Sequence, residues 1–104
     1  MKIYFISYEA APVEGSENQK EYGGSIINGW IKADCLEKAE ECYKQTIYSY
    51  GWVAQKVEQT FEVSENHYKE FDEGLEYFHQ AKIDGEAYVV HSWPNEPQDD
   101  ENYH

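Results

Sequence analysis

"KIYFISY", residues 2 to 8, is apolar or aromatic on both of its alternating faces: Ile3 and Phe5 point one way, Tyr4, Ile6 and Tyr8 the other. In an extended chain successive side chains leave on opposite sides, so such a run needs cover above and below and reads as a central strand. The rest of the fold is built outward from it. Residues 9 to 23, "EAAPVEGSENQKEYG", carry Pro12, Gly15, Ser16, Asn18 and Gly23 without a period and read as a long loop. Residues 24 to 33, "GSIINGWIKA", resume the strand pattern, with Ile27 and Ile31 on one face and Ile26 and Trp30 on the other.

Asp34 and Glu37 then stand at capping-box spacing, which predicts a helix starting there. Cys35, Leu36, Ala39, Cys42, Tyr43, Thr46, Ile47 and Tyr50 form its apolar stripe, and Gly51 ends it. Residues 52 to 63, "WVAQKVEQTFEV", alternate as a half-buried strand. Ser64 is the expected cap of a second helix with a seam of Tyr68, Phe71, Leu75 and Phe78. It closes at "KIDGEA", where Asp84-Gly85 offers a hairpin turn as the alternative. "EAYVVHSW", 86 to 93, is the last strand. The proline-bearing acidic stretch 94 to 104 is expected to be a disordered tail, leaving residues 1–93 as one α/β domain.

The predicted order is β-β-α-β-α-β. Strand-helix-strand crossovers are right-handed almost without exception, so the expected fold class is an α/β (α+β) two-layer sandwich: a four-stranded mixed sheet with both helices on one face. The element count and helix placement resemble the broad ferredoxin-like family of small α/β sandwiches, whose usual order is β-α-β-β-α-β. That superfold hosts many activities, so the resemblance implies architecture alone. A sheet with helices on one side leaves its other face open, and the expected covers are the long 9–23 loop, the tail, or a second copy of the chain in a homodimer through that face.

Charge carries the functional reading. Twenty-one acidic residues face 8 basic ones, all of them Lys, for a net charge of -13. Phosphate backbones and anionic membranes repel such a chain, which disfavours both as partners and leaves a basic partner, a divalent cation or simple solubility. Cys35 and Cys42 are seven apart in the predicted helix, about 10 Å at 1.5 Å per residue and beyond disulfide reach. The apolar run after Lys2 is too short for a signal segment or a bilayer span, so a cytoplasmic location is expected.

No motif for chemistry stands out. His67, His79, His91 and His104 lack metal-ligand spacing, the carboxylates around Cys35 oppose a thiolate, and "EYGGS" lacks the lysine and helix of a phosphate loop. No cofactor, metal site or catalytic residue is therefore expected. The densest feature is "EFDEGLEYF", residues 70 to 78, where carboxylates alternate with rings. Glu70, Asp72, Glu73 and Glu76 are the expected contacts to a basic protein partner, with Tyr77 as anchor. In size and composition the chain resembles small acidic bacterial immunity proteins that inhibit nuclease toxins. The alternatives are a homodimeric structural or regulatory domain, and a small-molecule-binding protein or enzyme with a pocket where His91, Tyr88 or Trp93 meets carboxylates.

Overall fold

The computed structural model describes residues 1–68 and 73–95. Among the described residues the strands are β1 (Lys2–Pro12), β2 (Tyr22–Ala33), β3 (Trp52–Val63) and β4 (Glu86–Pro94). The helices are α1 (Glu17–Glu21), α2 (Leu36–Ser49) and α3 (Glu73–Asp84), and a 3-10 turn spans Glu65–His67. The strands form one antiparallel sheet in the order β3-β1-β2-β4, an α+β arrangement. The two-faced strand is indeed internal, flanked by β2 and β3.

The expected mixed sheet is corrected to an antiparallel one, and the layering changes with it. Tyr4, Ile6, Ala10, Ile27 and Ile31 pack against Ala39, Tyr43 and Ile47 of α2. Their alternate neighbours Ile3 and Trp30 pack with Val63 and Ala87 against Phe78 and Ala81 of α3. The two helices therefore lie on opposite faces, and the face expected to be open is covered by α3. The physical reason lies in the directions of the strands. β2 and β3 both run antiparallel to β1, hence parallel to each other, and the handedness rule governs α2 between them. β3 and β4 run in opposite senses, so no such rule constrains α3.

Three local expectations are also corrected. The 9–23 loop is ordered: β1 continues to Pro12 and α1 follows, with Ser16 at its N-cap accepting from the Gln19 N–H (3.3 Å) and the Gln19 side chain accepting from the Gly15 N–H (2.7 Å). The helix after β2 has Cys35 at its N-cap position, one residue later than expected and without a side-chain capping bond. Asp34 makes an exposed ion pair with Lys38 (3.6 Å) instead of a cap. Ser64 opens only the 3-10 turn, and α3 begins at Glu73, so Tyr68 precedes the helix and does not share its seam. Phe71 and the tail beyond Asn95 lie outside the described residues.

Helix ends follow their glycines. Gly51 (φ 94) and Gly85 (φ 96) take the left-handed backbone that terminates α2 and α3, so the Asp84-Gly85 hairpin alternative does not form. Trp93 lies across Gly24, whose missing side chain makes the room: a Cβ there would sit 2.6 Å from the Trp93 ring.

Candidate binding cleft

α3 covers only part of its face. β3 ends opposite Ile3, and β4 starts opposite Ile31 at that same end of the sheet. α3 runs back to that end at Asp84, and its first turn, at Glu73 and Gly74, lies by Asn28 and Gln59 of the sheet. Between its first turn, the 3-10 turn and the sheet lies a cavity of about 330 Å³.

Rings wall this cleft in a closed circuit. Trp30 meets Phe5 edge-on (5.1 Å between centroids), Phe5 meets Phe61 (5.2 Å), Phe61 meets His67 (5.3 Å), and His67 meets Tyr68 (5.0 Å). The Trp30 Nε1–H donates to the Tyr68 hydroxyl (2.7 Å) and closes the loop. Tyr77 stacks on Trp30 from α3, with centroids 5.0 Å apart and planes 21° from parallel. Polar groups share the lining with the rings: besides His67 and Tyr68 these are Glu73 at the first turn of α3, Gln59, His91, and Asn28, whose Oδ1 accepts from the buried Ser7 hydroxyl (2.7 Å). Ring faces are electron-rich, so an aromatic wall beside a carboxylate suits a cationic guest.

Of the residues the sequence singled out, Glu73 lies at this cleft. Glu76 is exposed on the same helix, three residues on. Tyr77 is half-buried and stacks on Trp30. Glu70 and Asp72 lie outside the described residues. Nor are the acids gathered on α3. Exposed carboxylates also stand on α2 (Glu37, Glu41), on β3 (Glu58, Glu62) and before and within α1 (Glu14, Glu17). Among the described residues charge alone thus marks no patch, and the ring-lined cleft does. Sequence reasoning missed it because Phe5, Trp30, Phe61, His67 and Tyr77 come from five separate segments.

The alternative constellation of His91, Tyr88 and Trp93 does not converge. His91 lines the α3-side cleft, whereas Tyr88 points to the α2 side. There the Tyr88 hydroxyl (2.7 Å), the Thr46 hydroxyl (3.1 Å) and the Cys42 thiol (3.3 Å) all donate to one oxygen, Glu86 Oε1. This cluster ties α2 to the outermost strand. Burial, then the hydrogen bond and charge of Glu86, push the Cys42 thiol up from its ordinary value. In a Cys35→Ser chain, Cys42 should therefore react with iodoacetamide at pH 8 at least about tenfold more slowly in the folded protein than in urea. Equal rates would mean that Glu86 does not hold the thiol.

Both cysteines are free thiols. Among the described residues no group of three or more His, Cys, Asp or Glu is placed to hold a metal ion, and no helix is long and apolar enough to cross a membrane. No protein-family model matches the chain, and no match is found among curated proteins or solved structures.

Proposed function

We propose that the chain is a non-catalytic, cytoplasmic protein-interaction module, of the inhibitor or immunity-protein kind, whose α3-side cleft receives a cationic side chain of a basic protein partner. The observation that carries this reading is the closed circuit of rings with Glu73 at its edge, set in a chain of net charge -13. Long-range attraction brings a basic partner in, and the aromatic walls hold the desolvated cation once it arrives. The enzyme alternative has less support, because the groups it would combine are divided between the two faces of the sheet.

The test uses an oligolysine peptide as probe, followed by NMR at increasing salt. From about 0.01 M to about 1 M salt the screening length falls from about 30 Å to about 3 Å, so affinity should drop by at least about a hundredfold. The resonances that move should be those of Phe5, Phe61, Tyr77 and Val89. Glu73→Gln should weaken binding about fivefold, the scale of one partly screened ion pair. Salt-independent affinity, or shifts confined to residues away from the cleft, would remove this reading.

A further inference from the structure

The two edges of the sheet are built differently. β3 is blunted as edge strands usually are: its register against β1 shifts twice, between Ser7 and Tyr8 and between Glu9 and Ala10, and it carries Lys56, Glu58 and Glu62. Bulges twist an edge away from an incoming strand, and charges make pairing unfavourable. β4 has one register shift against β2, at its far end between Tyr22 and Gly24, and no charge in its interior. It pairs with β2 without a shift from Gly24 to Ile31, and residues 87 to 93, "AYVVHSW", contain no Lys, Asp or Glu in a chain that is 28% charged. Val90 is 47% exposed and Trp93 41% exposed on this strand. Pro94 stands at the end of β4, where it leaves the interior of the edge free to bond.

We propose that β4 is a homodimerisation edge: two copies pair antiparallel through it about a two-fold axis at Val90, giving one continuous eight-stranded sheet. The occupant is a second copy, for two reasons. The strand is self-complementary in this register. Val90 meets its own counterpart, Tyr88 falls opposite Ser92, the small Ala87 opposite Trp93, and the one acidic residue, Glu86, opposite Pro94, so no carboxylate faces another. The strand also presents an uncharged stretch of an acidic molecule, along which two chains of charge -13 meet without carboxylates face to face, whereas a basic peptide would find no carboxylate along residues 87 to 93. This inference uses a different surface from the cleft and does not rest on the function proposed above.

An edge pairing of nine residues buries an area at the low end for stable interfaces, so association in the micromolar range is expected. Sedimentation equilibrium of the full chain up to about 200 µM should give twice the 12.2 kDa chain mass at the high end. Added salt should strengthen the dimer by screening like charge, the opposite sign to partner binding. Val90→Lys places two added ammonium groups face to face at the axis and should shift dimerisation at least about tenfold. Ile83→Lys adds the same charge at a residue 83% exposed on α3 and should leave the dimer unchanged. Hydrogen exchange of the unsubstituted chain gives an independent reading. Amides of residues 86 to 93 should gain protection with concentration, and those of β3 should not. A chain that stays at 12.2 kDa throughout, a dimer indifferent to Val90→Lys, or protection appearing on β3 would each overturn the proposal.

Discussion

Trp30→Ala should lower the unfolding free energy by about 3–5 kcal/mol, the range for deleting a large buried ring that the surroundings cannot refill. Trp30 is 5% exposed, lies on an internal strand, stacks on Tyr77, meets Phe5 edge-on and donates to the Tyr68 hydroxyl. It joins the sheet, α3 and the 3-10 turn region at once, so its loss should also loosen the circuit of rings and abolish oligolysine binding in whatever fraction stays folded. Trp93→Ala, which removes a ring 41% exposed over Gly24, should cost about 1 kcal/mol. Urea unfolding of both variants makes the comparison. Similar losses for the two tryptophans would mean that the α3-side core is not organised around Trp30.

How far the fold could be read ahead is clearest on β1. Seven residues apolar on both faces established an internal strand needing two covers, and both covers exist. Assigning the second cover required knowing that β4 runs against β3, which depends on pairing between residues sixty positions apart and leaves no mark on local periodicity. α1 did leave a mark: Ser16 and Gln19 have the spacing of a capping box, obscured by Pro12 and Gly15 beside them. The seam of Tyr68, Leu75 and Phe78 misled for a different reason. These residues do share one core, but Tyr68 reaches it from outside the helix, and shared burial resembles helical spacing. The same limit hid the cleft. Composition announced an acidic, ring-rich chain, while the meeting of rings from five segments is a property of the topology.

The second large effect is expected in alkali. Tyr43 is 0% exposed; its hydroxyl donates to the Ile27 carbonyl (2.7 Å) and accepts from the Tyr8 N–H (3.2 Å), pinning α2 to the two central strands. Tyr88 donates to Glu86. Burial above all pushes both phenols well above the ordinary 10.0; for Tyr88 the neighbouring Glu86 adds to it. Below pH 10 folded and unfolded chains hold these two protons alike, and stability owes nothing to pH on their account. Above pH 10 the unfolded chain releases them while the folded one keeps them, so stability falls as pH rises, by at most about 1.4 kcal/mol per pH unit for each phenol. Urea unfolding between pH 9 and pH 11 should show this slope. Tyr88→Phe should remove about half of the part due to the pair while keeping the ring that packs beside Gly29. Tyr43→Phe should instead cost about 1–3 kcal/mol below pH 10, because a buried carbonyl loses its donor and a backbone N–H its acceptor, and that cost should shrink above pH 10, where only the unsubstituted chain loses stability through this phenol. If the native protein ionised all ten tyrosines together near pH 10, Tyr43 would have to be accessible to water, and the packing of α2 on β1 and β2 would be wrong with it.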